Sequence, residues 1–204
     1  MRLGAVVPAA GWSRRMGRDK ILLPFGGRTM LETILAKLAE AGVSRTAAVL
    51  RPDLSEAHRL AQAAGAEVVL NPAPDEEMLA SIRLGIERLA GSVDAFFLWP
   101  ADHPAVRTET LRELAAHASR RTAVIPVHSG RRGHPALVGV LLAPEIAHLP
   151  VNAGLRQLWR DRADAVLEVA VDDPGVLENL DDPESYERAR RREEVGGDPG
   201  GKSE

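Results

Sequence analysis

Leu3-Gly4-Ala5-Val6-Val7-Pro8-Ala9-Ala10-Gly11-Trp12-Ser13-Arg14-Arg15-Met16-Gly17-Arg18-Asp19-Lys20 opens the chain with an apolar run that flows directly into a small, basic loop. An apolar run of this length reads as a buried strand, and the residues after it as the turn that leaves the sheet. Ala9, Ala10, Gly11, Ser13 and Gly17 are small enough for backbone N–H groups to approach an anion closely. Arg14, Arg15, Arg18 and Lys20 add positive charge, so the segment predicts a polyphosphate cradle. Two familiar phosphate loops are excluded. Gly11 and Gly17 are one residue too far apart for G-x-x-x-x-G-K-[ST], and no G-x-G-x-x-G is present.

Beyond that loop the 204 residues suit one domain, and a 45% hydrophobic content is ample for a core, although only 3% of residues are aromatic. Ala, Leu and Val must therefore fill the interior. With 26 basic and 29 acidic side chains the net charge is −3, so there is no global basic field for nucleic acid. The absence of Cys excludes disulfides and thiolate metal sites and suits a reducing compartment. No apolar stretch is long enough to span a bilayer, and Met1-Arg2 does not open a signal peptide. The expectation is a soluble, cytoplasmic protein that binds neither membrane nor nucleic acid.

Short β-branched runs alternate with longer Ala/Leu/Arg/Glu segments, the rhythm of βαβ units around a mostly parallel sheet. The pattern predicts strands over 3–8, 46–51, 66–70, 94–99, 122–127, 135–141 and 165–170, and helices over 29–41, 54–64, 77–90, 108–119, 152–161 and 183–192. A single domain is expected over 1–190, with 191–204 as a disordered tail. The Arg190-Arg191-Arg192 run within this region reads as a solvated helix end, because Glu193 and Glu194 follow at once.

Ligands of open α/β sheets lie beyond the carboxyl ends of the strands, which is where Trp99-Pro100-Ala101-Asp102-His103-Pro104 falls. One carboxylate there facing a triphosphate suffices for Mg²⁺, which takes oxygen ligands from few side chains and from substrate phosphates. Read in isolation, Asp102 is equally an ordinary turn residue ahead of a proline.

The run A-A-G-x-S-x-R-M-G-x-x-K over residues 9–20 resembles the opening of the MobA-like nucleotidyltransferases, a family that includes the molybdenum cofactor cytidylyltransferases. The resemblance implies a three-layer α/β/α sandwich with a Rossmann-like sheet, and it spans roughly residues 3 to 188. It further implies that Asp102 binds the metal. Asn179-Leu180-Asp181-Asp182-Pro183-Glu184 looks like the family's late D-I-D-T-P-E-D motif, placing Asn179 or Asp181 opposite Asp102, and the choice between the two stays open. Those same residues also read as a helix N-cap with Pro at the first helical position.

Asn71, and Ser81 within Met78-Leu79-Ala80-Ser81-Ile82-Arg83-Leu84-Gly85, fall where the family approaches the nucleotide base. Gly130-Arg131-Arg132-Gly133-His134-Pro135 resembles the R-G-H-P run where the second substrate docks, implicating Arg132 and His134. By this resemblance the reaction is attack of an acceptor phosphate on the α-phosphorus of a nucleoside triphosphate. Lys20, Arg15 and Asp102 would be the catalytic groups, and Ala9, Ala10, Gly11, Ser13, Arg14 and Gly17 the phosphate cradle. Ala9-Ala10-Gly11 favours CTP, with a molybdenum cofactor as the default acceptor and a molybdoenzyme as the product's recipient. A sugar or polyol phosphate acceptor, or an inactive nucleotide-binding regulator of the same fold, are the alternatives. Trp12 either packs or lines the nucleotide site, where it would narrow the pocket or stack on a base.

Overall fold

The computed structural model describes residues 1–13, 16–74, 78–150 and 153–196. Strand β1 (Leu3–Pro8) lies near the middle of the sheet and is almost wholly buried. Its alternate side chains face opposite ways: Ala5 and Val7 enter one apolar cluster and Val6 the other, as the two-residue period of a strand requires. A continuous apolar run, rather than an alternating one, is what such double coverage demands.

The first cluster is filled by helices α1 (Met30–Glu40), α2 (Ser55–Ala63) and α4 (Thr108–Ala116). Leu31, Ile34 and Leu38 of α1 recur there at helical spacing. The second cluster takes α3 (Met78–Leu89), α5 (Ala143–His148) and α6 (Leu155–Asp161), through Leu79, Ile82, Ile146 and Trp159. The result is a three-layer α/β/α sandwich. Helix α1 begins where its sequence demands. The Thr29 side chain accepts from Glu32 N at 3.2 Å while the Glu32 carboxylate accepts from Thr29 N at 2.9 Å, a capping box.

The remaining strands are β2 (Pro24–Phe25), β3 (Arg28–Thr29), β4 (Arg45–Leu50), β5 (Glu67–Leu70), β6 (Ala95–Leu98), β7 (Ala123–His128), β8 (Arg131–Arg132), β9 (Ala136–Gly139) and β10 (Val166–Ala170). The main sheet runs β10-β7-β9-β6-β1-β4-β5, with β8 paired to β7. β1 is parallel to both β4 and β6, and among the described residues of this sheet only the pairings of β9 and β8 run antiparallel. Gly85 lets α3 lie against this sheet, because a Cβ there would sit 2.3 Å from Cγ1 of Val6.

Three features depart from the periodic reading. Pro24 to Thr29 forms a small hairpin, β2-β3, closed by Gly26 and Gly27 at φ +60° and +76°. Two consecutive positive φ values are what a tight, right-twisting hairpin turn needs, and two glycines supply them. The strand expected to reach 141 ends at Gly139, and a 3₁₀ turn leads into the unforeseen α5 with Pro144 in its first turn. Finally, α7 (Pro183–Gly196) continues past 190, so the stretch expected to be a tail from 191 is helical up to Gly196. The expected tail's final part, 197–204, lies outside the described residues.

Helix α7 is held by a third, smaller core of Leu23, Phe25, Met30, Leu180, Tyr186 and Ala189, against which Met16 and Ala105 pack. The Tyr186 hydroxyl donates to Pro24 O at 2.6 Å. This small core joins the hairpin, the opening loop and the approach to α7, which is how residues far apart in sequence reach one place.

Candidate active site

β1 and β6 are adjacent and parallel, so the loops that follow them emerge side by side at the carboxyl edge. After β1 the chain is pinned by Ala9 N donating to Val49 O at 2.9 Å. After β6, Leu180 N donates to Asp102 O at 2.8 Å. The second bond draws the segment before α7 against the β6 loop and delivers Asp181 beside Asp102.

Lys20 completes the group. It starts a short 3₁₀ turn, its backbone N–H donates to Ser13 Oγ at 3.2 Å, and its ammonium lies 3.1 Å from Asp102 Oδ2 and 2.5 Å from Asp181 Oδ1. The Lys20 side chain is 15% exposed, so it holds both carboxylates while still bordering the cavity. Lys20, Asp102 and Asp181 line a cavity of about 290 Å³ together with Ala9, Gly11 and Ser13. The other carboxylate oxygen of Asp102, Oδ1, is buried without a hydrogen-bond partner, 3.6 Å from Nε2 of His103. A buried, unpaired carboxylate oxygen beside a second carboxylate is a donor set that suits a hard divalent cation.

The structure thus brings Lys20, Asp102, Asp181, Ala9, Gly11 and Ser13 together. Ala10 is buried beside them, and Gly17, at φ +65°, belongs to the same loop. Arg14 and Arg15 lie outside the described residues. Asn179 does not join the group: it is exposed and lines neither this cavity nor its neighbour. Of the two alternatives left open by the late motif, the carboxylate of Asp181 is the one beside Asp102.

Asn71 and Ser81 also depart from expectation. Both are buried, Asn71 Nδ2 donates to Ser81 Oγ at 2.9 Å, and Asn71 Oδ1 accepts from Ala73 N at 2.9 Å. They lock the end of β5 to α3 and line neither cavity. Met78, exposed at the start of α3, lines both.

A second cavity of about 550 Å³ shares Pro8, Met78 and Pro100 with the first. Its wall is apolar, from Leu79, Ile82, Leu98, Ile125 and Trp159, and its polar lining carries Arg132, His134, Arg156 and Arg160. Arg132 Nε donates to Glu168 at 2.6 Å. The sequence reading had singled out Arg132 and His134 but attached no role to Arg160 or Trp159. Those two reach the cavity from α6, which the sequence marks only as a helix.

The rings of His134 and His103 meet at 4.7 Å, tilted by 48°. Burial, and then the neighbouring His103, push the His134 imidazole down to about 4. Between about 4 and the ordinary 6.5 the unfolded chain takes up a proton at this site that the folded protein refuses. The contribution of neutral His134 to stability is complete above 6.5 and is lost as pH falls towards 4. Thermal unfolding followed from pH 7.5 to 4.5 should therefore show a steeper loss for the wild type than for His134→Gln. Parallel curves would contradict the burial of a neutral ring.

Two adjoining cavities thus open at the carboxyl edge of a Rossmann-like sheet, one of them lined by a glycine loop, a lysine and two carboxylates. The chain belongs to the family of the MobA-like NTP transferase domain, whose model matches residues 5–173. It is similar to a molybdenum cofactor cytidylyltransferase of Escherichia coli (strain K12), at 26% identity over 93% of this chain and 96% of that protein. It is also similar to a molybdenum cofactor guanylyltransferase of Rhodobacter capsulatus, at 28% identity over 94% and 97%. Among solved structures it matches a nucleotidyl transferase from Methanothermobacter thermautotroptrophicus with a TM-score of 0.84 and 26% identity, covering 96% and 99% of the two chains. Among the described residues no helix is long and apolar enough to cross a membrane.

Proposed function

We propose that the protein transfers CMP from CTP, in the presence of Mg²⁺, onto the phosphate of a molybdopterin-type acceptor and releases pyrophosphate. The observation that carries this reading is the placement of Lys20, Asp102 and Asp181 at the glycine loop, with a larger, partly apolar and cation-bearing cavity opening directly beside them. The small cavity suits the triphosphate. The larger one suits an anionic acceptor with a flat, weakly polar body, whose phosphate Arg132, His134 and Arg156 would meet.

In such a transfer an acceptor phosphate oxygen forms a bond to the α-phosphorus while the bond from that phosphorus to the bridging oxygen of the β-phosphate breaks. The electron pair leaves with pyrophosphate. Backbone N–H groups of the loop at Ala10 and Gly11, with Arg14 and Arg15, would hold the β- and γ-phosphates. Lys20 would hold its proton against the non-bridging oxygens, where charge builds. Asp102 and Asp181 would hold Mg²⁺, which neutralises phosphate charge when bound. No covalent enzyme intermediate is needed.

CTP is favoured by Ala9-Ala10-Gly11 and by the cytidylyltransferase relative. GTP is the second reading, because the guanylyltransferase relative covers the chain equally well. Thermal unfolding with CTP, GTP, ATP and UTP, each with and without Mg²⁺, separates them. A nucleotide at 100 times its dissociation constant should add about 2.7 kcal/mol. A Mg²⁺-dependent shift with CTP supports the proposal, the same shift with GTP alone replaces cytidylyl by guanylyl transfer, and no shift with any nucleotide overturns it. Incubation with the matching triphosphate and molybdopterin should then release pyrophosphate.

A further inference from the structure

Arg51 is the one charged residue in the Ala47–Arg51 run at the end of β4, and it is only 2% exposed. A buried guanidinium is costly unless its donors are matched, and here all three nitrogens donate. Nη1 donates to Gly11 O at 3.1 Å, Nη2 to Asp19 Oδ1 at 2.7 Å, and Nε to Asp53 Oδ1 at 3.0 Å. The guanidinium also lies under the Trp12 ring, 4.1 Å from its centroid.

Gly11 and Asp19 stand at the two ends of the opening loop, and Asp19 immediately precedes Lys20. One side chain from a neighbouring strand therefore grips both ends of the segment that holds Ser13 and Lys20 at the small cavity. Ser13 sits at φ +48°, a conformation a non-glycine residue adopts only when its surroundings impose it.

We infer that Arg51, stacked on Trp12, is a positioning residue that holds the opening loop in its nucleotide-receiving shape before any nucleotide arrives. It touches neither cavity and acts through Gly11, Asp19 and the lysine that follows. This inference rests on the nucleotide reading of the small cavity. A preformed loop binds without the ordering cost that a loose one carries, so the effect belongs in nucleotide affinity. It also accounts for Trp12, whose ring packs on Arg51 and is not among the cavity-lining residues.

The test compares Arg51→Met, Arg51→Lys, Asp19→Ala and Asp53→Ala with the wild type. Arg51→Met keeps the apolar stem, and the Asp19 and Asp53 side chains it strands are 32% and 58% exposed, so water can take them over. Titration with CTP or GTP plus Mg²⁺ should show Arg51→Met and Asp19→Ala binding about 10- to 100-fold more weakly. Arg51→Lys should not restore binding, because a point charge cannot reach all three partners. Asp53→Ala, which breaks only the tie outside the loop, should stay within about twofold, as expected for an exposed pair.

Trp12 is 42% exposed, whereas Trp99 and Trp159 are 0% and 7% exposed, so acrylamide quenching of ligand-free protein reads Trp12. Quenching should rise in Arg51→Met, be unchanged in Asp53→Ala, and change little in the wild type on adding the nucleotide, because the loop is already formed and Trp12 lies outside the cavity. Folded Arg51→Met with wild-type affinity and quenching overturns the inference, as does an Asp53→Ala variant as impaired as Asp19→Ala. Wild-type protein that binds neither triphosphate overturns the nucleotide reading instead, while the ligand-free quenching comparison still decides whether Arg51 holds the loop.

Discussion

Lys20→Ala is expected to fold and to lose about 10²–10³ in turnover, the usual cost of removing one preorganised stabiliser of developing charge. Its ammonium bridges Asp102 and Asp181, so its loss removes the cation that lies against both carboxylates. The variant invites a divalent cation more strongly than the wild type does, since an ion no longer has to displace the lysine. Mg²⁺ or Mn²⁺ alone should therefore raise the unfolding temperature of Lys20→Ala more than that of the wild type, even as turnover collapses. Steady-state kinetics and metal titration by differential scanning fluorimetry read the two effects separately. A Lys20→Ala enzyme with wild-type turnover would remove Lys20 from the chemistry.

The second large effect is expected at the carboxylates. Asp102→Asn and Asp181→Asn should each lower turnover by about 10²–10³, by analogy with the loss of any single electrostatic clamp on the transferring phosphoryl group. They should also abolish the metal-dependent part of the nucleotide thermal shift. Asn179→Ala should leave both nearly intact, because Asn179 is exposed and away from the cavities. Equal damage from Asn179→Ala and Asp181→Asn would reverse the choice between them. The contrast is sharp because only one residue, Leu180, separates the two, and its backbone N–H is the group bonded to Asp102 O.

Much of the scaffold was legible because local periodicity reports burial directly. The apolar run of β1 and the helical stripe of Leu31, Ile34 and Leu38 each carry their own reason. The hairpin at Pro24–Thr29 was missed because its strands are two residues long, too short for any period to register, although Gly26-Gly27 was its turn signal. Helix α5 was missed because its Val140-Leu141-Leu142 approach reads as more strand until Pro144 is weighed as a helix start. At the site, residue type at a strand end singles out the opening loop and Asp102, and the structure places Ala9, Gly11, Ser13, Lys20 and Asp102 around one cavity. Asn71 and Ser81 line neither cavity and satisfy one another, a pairing the sequence does not signal because a polar side chain in an amphipathic segment looks the same whether it meets a ligand or another side chain.

By itself the sequence determined the α/β class, the small and basic loop after the first strand, the carboxylate at the end of β6 and the family to which these motifs point. These are properties of neighbouring residues, written by spacing and side-chain chemistry. Only the tertiary structure decided that Lys20 meets Asp102 and Asp181 across 82 and 161 residues of chain, that Asp181 rather than Asn179 stands there, and that Arg51 grips the loop from the next strand. Which loop ends meet depends on strand order and on the small core under α7. Both are set by the joint packing of distant segments, for which no local stretch of sequence carries a signal.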